Sequence, residues 1–257
     1  MKTFKKTELD NIRRAGEILS AALLAAREKI APGVCTMEID KTAEDAIRAR
    51  GGTPCFKNYR DYGFATCISV NQEVVHGIPR ADKILRDGDI VSIDVGVRYN
   101  GYCADAARTF PVGEISASAQ KLIDETKTCF YEAVKTLRAG STVGEVGRHI
   151  EYYVRRNTTY GIVTNYFGHG IGRNVHEDPL IPNFIPNTAQ LRNVCRQAFP
   201  AETAICIEPM ICEGEPATKV MPDKWTAVMA DGKLAAHYEN TVIIHEQGAE
   251  IVTDKFI

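Results

Sequence analysis

The chain has 257 residues, 44% of them hydrophobic, and its 31 basic and 33 acidic residues give a formal net charge of -2. A chain of this length and composition can bury a large core as one domain, without disulfide or metal staples. The near-neutral charge argues against a strong attraction to nucleic acid or to an anionic membrane, and it favours a small or flexible partner.

The amino-terminal residues are charged and lack the apolar stretch of a secretory signal. Nowhere in the sequence is there a run of about 18 apolar residues that could cross a membrane, so we expect a cytoplasmic protein. The eight cysteines are scattered and form no C-x-x-C pair. This pattern predicts reduced, mostly buried thiols and argues against a thiolate zinc site or a disulfide framework.

The first predicted element is a helix over residues 7–31, in which apolar residues recur at helical spacing. Thr7 and Asp10 have the spacing of a capping box at its start. A Pro-Gly pair ends this helix, and Thr36 is predicted to cap a second helix that ends at a Gly-Gly pair.

The same order of helix, glycine and helix returns in the second half, where a helix is predicted over residues 116–138 and another follows it. Four residue pairs in these segments keep one offset of 107 positions (140 − 33). The pairs are Gly33 with Gly140, Glu38 with Glu145, Ile39 with Val146, and Arg48 with Arg155. We therefore predict an internal duplication, in which residues 1–257 form a single domain of two pseudo-symmetric halves, about 1–110 and 111–257.

Short runs rich in Val, Ile, Thr and Tyr follow each helix pair and favour β-strands. These runs are ATCISV, DIVSIDVGV and YCADAARTF in the first half, and AICIEPMI and TVIIHE in the second. Helices packed on an antiparallel-rich sheet give an α+β fold class, with a pseudo-two-fold repeat of a helix pair followed by strands.

Two of these runs meet at Asn100-Gly101, a residue pair that favours the two-residue type I′ turn of a β-hairpin. If Tyr99 pairs with Tyr102 across this turn, the register of the whole hairpin follows. A slip of one residue would send every side chain to the opposite face.

In this register Asp94 and Asp105 are diagonal neighbours on one face of the hairpin. Two carboxylates on an otherwise apolar face repel each other unless a cation or a shared proton compensates them. The alternative is that one of them faces solvent or pairs with Arg98 or Arg108, because charge pairs across strands are ordinary.

Two further acids, Glu208 and Glu239, lie inside apolar segments that are predicted to form strands. A buried glutamate needs a compensating partner. Either one alone could be an edge residue in a surface ion pair. Separate ion pairs do not readily explain four such acids in one core, so a shared role is favoured.

His169 is flanked by alternating glycines at positions 168, 170 and 172. This pattern disfavours a helix and predicts a backbone that another group approaches closely. A single histidine in such a place can be a hydrogen-bonded core residue, but beside four acids the interpretation as a metal ligand is favoured.

Four carboxylates and one neutral imidazole carry four negative charges, which two divalent ions would balance. Oxygen-rich ligation with one imidazole suits Mn, Fe, Co or Zn in a catalytic role. Paired ions activate a bound water, so the predicted reaction class is hydrolysis.

Five segments in this order resemble the type I methionine aminopeptidases, peptidases with the pita-bread fold, and the likeness covers nearly the whole chain. The segments are CISVNQEVVHGIP, IDVGVRYNGYCADAARTF, GHGIGRNVHEDP, CIEPM and HYENT. The resemblance implies that Asp94 binds one metal through both oxygens, that Asp105 and Glu239 bridge two metals, and that His169 and Glu208 complete the second.

The resemblance also implies the catalytic and substrate-binding residues. His176 would stabilise the oxyanion, His76 would contact the substrate backbone, and Glu208 would carry the proton from water to the leaving amine. The expected substrate-binding residues are Tyr59, Tyr62, Cys67, His76, Phe167, His176 and Trp225. Spacing alone leaves His176 open as a surface residue and Trp225 open as an ordinary core residue.

The cofactor implied by the resemblance is two divalent ions, which could be Co, Mn, Fe, Zn or Ni. The implied substrate is the amino-terminal methionine of nascent polypeptides with a small second residue. A transient association with the ribosome is left open, and no nucleic acid or membrane partner is expected.

Several departures from the family pattern affect the expected site. Val175 stands where many relatives carry an aromatic residue, which predicts a wider wall of the methionine pocket. The segment 181–197 is longer than in compact bacterial relatives. Glu208 and Glu239 are only 31 positions apart (239 − 208), which leaves no space for the helical insertion of type II enzymes. We also expect no zinc-finger extension of the eukaryotic type I kind.

Two alternatives remain. An X-Pro aminopeptidase or dipeptidase would share the fold and the five ligands, but such enzymes usually carry an additional amino-terminal domain, and HYENT is similar to the methionine-specific motif. A non-catalytic binding relative would typically have lost ligands, whereas all five are present here.

Overall fold

Among residues 1–255, which the computed structural model of the protein describes, five α-helices surround the strands. They are α1 (Lys6–Glu28), α2 (Thr36–Ala49), α3 (Ala117–Val134), α4 (Val143–Asn157) and α5 (Ala189–Cys195). The first four are the two predicted helix pairs, and α5 is a short helix that the periodicity does not predict. None of the five combines the length and the hydropathy of a membrane span.

The start of α1 differs from the predicted cap. The helix begins at Lys6, and the carboxylate of Glu8 accepts the backbone N–H of Lys5 at 2.9 Å. Thr7 already lies inside the helix, so the predicted capping box of Thr7 and Asp10 is wrong.

The predicted cap of α2 is also wrong by one residue. Cys35 occupies the capping position, and Thr36 is the first residue of the helix. The hydroxyl of Thr36 accepts the backbone N–H of Arg80 at 2.9 Å, so it ties the helix to a loop and does not cap it.

The strands of the described residues pair in an antiparallel way throughout. They are β1 (Thr53–Pro54), β2 (Thr66–Val70), β3 (Glu73–Val75), β4 (Ile90–Tyr99), β5 (Tyr102–Pro111), β6 (Gly161–Ile162), β7 (Gly168–Gly170), β8 (Glu177–Ile181), β9 (Thr203–Ile207), β10 (Met210–Cys212), β11 (Thr218–Val220), β12 (Ala227–Met229), β13 (Ala235–His237), β14 (Asn240–His245) and β15 (Gly248–Ile251). The α+β class is therefore confirmed.

Two larger sheets carry the fold. In the first, β4 lies between β5 on one side and β1 and β2 on the other. The second has the order β15-β14-β9-β7-β8. Two three-stranded sheets, β13-β10-β6 and β11-β12-β3, complete the strands.

Each larger sheet is covered by its own helix pair. Apolar residues of α1 and α2 form one buried cluster with those of β4 and β5. Apolar residues of α3 and α4 form a second buried cluster with those of β9 and β14, and Phe130 is one of its largest fully buried side chains. The amphipathic stripes seen in the sequence are the faces that these clusters bury.

The turns after α1 and α3 are alike in detail. Gly33 has a φ of 90° and donates its N–H to the carbonyl of Leu85 at 2.8 Å. Gly140 has a φ of 89° and donates in the same way to Phe199 at 2.9 Å. The division into two pseudo-symmetric halves remains a proposal, and these matched turns support it.

The β4–β5 hairpin has the predicted register. Asn100 and Gly101 form the turn with φ values of 47° and 81°, as a type I′ turn requires. Tyr99 pairs with Tyr102, so the face that each side chain occupies follows from the turn.

Candidate metal centre

The five residues expected to be metal ligands line one cavity of about 690 Å³. They come from five separate parts of the chain. Asp94 is on β4, Asp105 on β5, His169 on β7, Glu208 directly after β9, and Glu239 directly before β14. The volume is in the range of sites that enclose a small molecule or a few residues of a peptide.

The hairpin brings Asp94 and Asp105 to one face, because Asp94 pairs with Ala107 two positions beyond Asp105. Neither aspartate forms an ion pair with Arg98 or Arg108 within residues 1–255. Both arginines bond elsewhere, and Arg108 donates to the segment that leads into β14. The alternative of an arginine partner is therefore wrong.

Hydrogen bonds join β5 to the start of β14 at the centre of the site. The hydroxyl of Thr241 accepts the N–H of Asp105 at 2.8 Å and donates to the carbonyl of Asp105 at 2.9 Å. The N–H of Glu239 donates to the carbonyl of Ala107 at 2.9 Å. These bonds hold the Glu239 backbone beside the hairpin, so its carboxylate lies near that of Asp105.

Glu208 and Glu239 lie at strand ends and not inside strands as predicted. The run AICIEPMI is interrupted by Glu208 and Pro209, which separate β9 from β10. Proline has no N–H for the ladder, so the strand cannot continue through it. The carbonyl of Glu208 instead accepts the side chain of Asn183 at 3.0 Å. Both glutamates are still buried, with exposed fractions of 9% and 2%.

The glycines beside His169 are required by the close approach of neighbouring backbone. A Cβ on Gly168 would lie 2.3 Å from the carbonyl oxygen of Cys206, and a Cβ on Gly170 would lie 2.3 Å from that of Asp178. The prediction of a close approach is confirmed. Because strands lie tightly on both sides of β7, the position of the His169 side chain is narrowly defined.

His169 presents one ring nitrogen to three carboxylates. Its Nδ1 lies 3.0 Å from the carbonyl oxygen of Gly170, which can only accept, so Nδ1 carries the proton. The lone pair of Nε2 then faces oxygens of Glu208 at 3.5 Å and of Asp105 and Glu239 at 4.0 Å each. These acceptors repel one another unless a cation lies between them.

The acids cannot all be ionised without positive charge beside them. Burial and the neighbouring carboxylates raise the pKa values of Asp105, Glu208 and Glu239, and burial raises the pKa of Asp94 to about 7. One buried oxygen of Asp94, of Asp105 and of Glu239 has no hydrogen-bond partner among residues 1–255. Oxygen-rich donors of this kind fit divalent metal ions.

The seven residues expected to bind substrate all line the same cavity, namely Tyr59, Tyr62, Cys67, His76, Phe167, His176 and Trp225. Tyr62 and Trp225 pack edge to face with ring centroids 4.9 Å apart, and His76 packs against Trp225 at 6.4 Å. His76 has a positive φ of 59°, a strained conformation that is common at functional sites. The apolar wall is thus placed beside the carboxylates.

His176 lines the cavity at its rim and is exposed there, so it is also a surface residue, as spacing alone had left open. Its Nδ1 lies 3.2 Å from the hydroxyl of Tyr59, and its ring centroid is 4.5 Å from that of His169. The chain bends between the two histidines, as their odd spacing predicts, and the β7–β8 register shifts after His169. Desolvation and the nearby charge of Arg60 lower the pKa of His176, so its ring is neutral near pH 7.

Val175 does not form a wall of the cavity. Its side chain is 2% exposed and packs in a core cluster that includes Phe4 and Tyr102. The wider wall expected at this position stays a prediction, because the burial of Val175 does not measure the width of the pocket. The long segment 181–197 packs α5 against α4. It contacts residues of the cavity wall through Phe184, whose ring lies 5.9 Å from that of Phe167, and through Asn183, which donates to the carbonyl of Glu208.

Two residues near the centre were not expected from the sequence. His237 lines the cavity and is 2% exposed, and burial lowers its pKa to about 3. It ends β13, two positions before Glu239, and because the chain leaves the strand between them, no spacing in the sequence indicates it. The sulfur of Cys206 lies within 4.8 Å of donor atoms of Asp105, His169 and Glu239, but burial and these acids raise the pKa of its thiol.

The sequence matches the profile of metallopeptidase family M24 over residues 10–246. It is 44% identical over 248 residues to a methionine aminopeptidase of Clostridium perfringens, with 96% of each chain covered. The match therefore extends over nearly the full length of both proteins.

Comparison of the fold with solved structures identifies similar proteins. The crystal structure of a methionine aminopeptidase from Thermotoga maritima matches with a TM-score of 0.93 at 36% identity, covering 99% of this chain and 100% of that one. A prolidase from Pyrococcus furiosus matches with a TM-score of 0.78 at 26% identity, covering 98% of this chain and 65% of that one.

Proposed function

The chain belongs to metallopeptidase family M24 and, within it, to the methionine aminopeptidases, and from this premise we propose that a pair of divalent ions serves its removal of the amino-terminal methionine from newly made proteins. One observation carries the proposal. Three buried carboxylates, the half-buried Asp94 and one neutral imidazole surround a single space, and three of their buried oxygens have no hydrogen-bond partner among residues 1–255.

Each of the five residues has a proposed part in holding the ions. Asp94 would hold one ion, His169 and Glu208 would hold the other, and Asp105 and Glu239 would contribute to both. Such a pair of ions, when bound, activates water as a nucleophile and polarises the scissile carbonyl. Co, Mn, Fe, Zn and Ni are all compatible with these donors, so availability in the cell would select among them.

Glu208 is the proposed proton carrier. It takes a proton from the attacking water and gives it to the departing amine, which lets one group act as base and then as acid. Burial raises the pKa of its carboxyl above the usual range, which favours the protonated form relative to an exposed glutamate.

His176 and His76 are the proposed contacts to the peptide. His176 donates from its ring to the scissile carbonyl oxygen as negative charge develops there. The hydroxyl of Tyr59, 3.2 Å from Nδ1, orients this ring. His76 contacts the substrate backbone beside the cleaved bond, and its strained φ fixes the direction of its side chain.

The methionine side chain is proposed to lie against the apolar wall. Tyr62, Cys67, Phe167 and Trp225 supply aromatic and thiol surface that suits a thioether. We expect a small second residue in the substrate, because the histidines beside the cleaved bond leave little room for a larger one.

A peptidase assay tests this proposal against its closest rival. The chelated protein is reconstituted in turn with each of the five metals and assayed on Met-Ala-Ser, Met-Lys-Ser and Gly-Pro. We expect cleavage of Met-Ala-Ser only, and only with metal. Efficient cleavage of Gly-Pro would instead support the X-Pro activity of the more distant relatives, and efficient cleavage of Met-Lys-Ser would contradict the small second residue.

A further inference from the structure

We propose that His237 binds metal directly, so that Glu208, His237 and Glu239 form a cation position that adds a second imidazole to the five expected ligands. This inference rests on the proposed use of divalent ions, and it goes further by assigning a new ligand.

The donor atoms of this position converge. The Nε2 atom of His237 lies 3.9 Å from an oxygen of Glu208 and 3.9 Å from an oxygen of Glu239. All three donor atoms lie within 4.8 Å of one another. Two ligands of one ion, each bonded at roughly 2.0–2.2 Å, are at most about 4.4 Å apart. The distances at His237 therefore fit a shared ion.

The two imidazoles use different oxygens of the same glutamates. His169 lies near Oε1 of Glu208 and Oε1 of Glu239, at 3.5 Å and 4.0 Å. His237 lies near the Oε2 atom of each. Each glutamate thus directs one oxygen toward each histidine. In this arrangement a carboxylate can bind a different cation with each of its two oxygens.

The same distances exclude direct hydrogen bonds from His237 to the glutamates. A hydrogen bond from N–H to oxygen is usually 2.7–3.2 Å long, and 3.9 Å is well beyond that range. Nε2 is inaccessible to solvent and has no hydrogen-bond partner among residues 1–255. A buried nitrogen in this state is costly, and a cation between it and the carboxylates would satisfy all three groups.

The backbone of His237 is fixed in place by β5. The hydroxyl of Thr109 accepts the N–H of His237 at 2.9 Å and donates to its carbonyl at 3.0 Å. His237 also pairs with Met210 across β10 and β13. The ring therefore approaches the glutamates from a rigid strand, as a metal ligand requires.

Nitrogen NMR of the histidine side chains tests the proposal without an activity measurement. The chain has six histidines, so the full-length protein labelled with ¹⁵N-histidine can be followed while zinc acetate is added. We expect two ring nitrogens to move to metal-bound shifts. His169→Gln should remove one of these signals, and His237→Gln should remove the other.

The matched control is His149→Gln, because His149 lies on α4 outside the cavity. It should leave both metal-bound signals unchanged. We also expect His237→Gln to weaken zinc binding by about 10-fold or more, but a residue that only orients a ligand can have an effect of that size. The number of metal-bound histidine nitrogens therefore decides whether His237 is a ligand.

The outcomes separate this inference from the proposed function. A single metal-bound nitrogen that is lost in His169→Gln would overturn the role of His237 and leave the metal centre intact. No metal-bound nitrogen at all would overturn the proposed metal centre itself. If His237→Gln does not fold, the wild-type count of two or one still gives the answer.

Discussion

Asp105 occupies the most crowded position of the centre. Its carboxylate is 2% exposed, one of its oxygens is unpaired within residues 1–255, and the other lies 4.0 Å from Nε2 of His169. The charges of the other three acids raise its pKa, after burial itself. A group in this position stabilises the protein only when positive charge is bound beside it.

Asp105→Ala should therefore abolish peptidase activity, by at least about 100-fold, while the fold stays intact. Removing one of four like charges should leave the metal-free protein as stable as before or more stable. Turnover of Met-Ala-Ser, metal content and thermal unfolding without metal measure these effects. Asp45→Ala, at an exposed residue of α2, is the control, and turnover in Asp105→Ala with full metal content would reject the role.

Gly170 positions His169 through the space that it leaves empty. Gly170→Ala would push a Cβ against the carbonyl of Asp178, which must move by several tenths of an ångström or more. We expect a loss of about 1–3 kcal/mol in the free energy of unfolding and weaker zinc binding. Urea unfolding and zinc titration measure both, and Gly248→Ala, where a Cβ meets open space, is the control. Unchanged zinc affinity in a destabilised protein would show that His169 does not depend on this contact.

The sequence predicts which five residues are suited to bind metal, but it does not predict how their side chains are arranged in space. Asp94 and Asp105 follow from a turn and a register, both of which are local. His169 and the two glutamates converge through pairings between distant strands, which spacing cannot supply. His237 is not predicted from the sequence, because a histidine in a short strand has many ordinary roles. Only its distance to two carboxylates in the structure distinguishes it.

At the scale of elements, the long periodic helices and the hairpin are predicted well because their signals are local. Their first residues are not, since Lys5 and Cys35 take the capping positions and neighbouring contacts decide where each helix begins. The run AICIEPMI is predicted as one strand, and Pro209 divides it. Very short strands such as β1 and β6 carry too few residues to show a period.

A charged network fixes the end of β14. His245 contacts Glu202 through Nδ1 at 2.9 Å and Glu250 through Nε2 at 3.0 Å. Arg13 of α1 holds Glu250 with three hydrogen bonds from its side chain. Desolvation opposes the charged form of His245, but the bonds to the two glutamates prevail and raise its pKa above the ordinary value of 6.5.

His245→Gln should destabilise the protein in acid and much less in base. Because the folded-state pKa is raised, the added stability is fully present below about pH 6.5 and is lost as the pH rises through the folded-state pKa. The loss should stay below about 1 kcal/mol, since the partners are half-exposed. Urea unfolding at pH 6 and pH 9 measures it, with His149→Gln as control, and an equal loss at both pH values would contradict the charged network.

At the scale of the whole molecule, the candidate centre takes its residues from both of the proposed halves of the chain. Asp94 and Asp105 come from the first half, and His169, Glu208 and Glu239 come from the second. Hydrogen bonds between Asp105 of β5 and Thr241 of β14 join these two parts of the chain, and we call this boundary the seam. The sequence predicts the repeated helix pairs and the α+β class, but it does not show how the sheets face each other, because that depends on packing across the seam.

Anomalous scattering from crystals of the full chain grown with manganese tests the account most directly. We expect two peaks roughly 3.5–4 Å apart, both between the carboxylates of Asp105 and Glu239. Carboxylates of Asp105 and Glu239 that bind no ion at saturating manganese would contradict it.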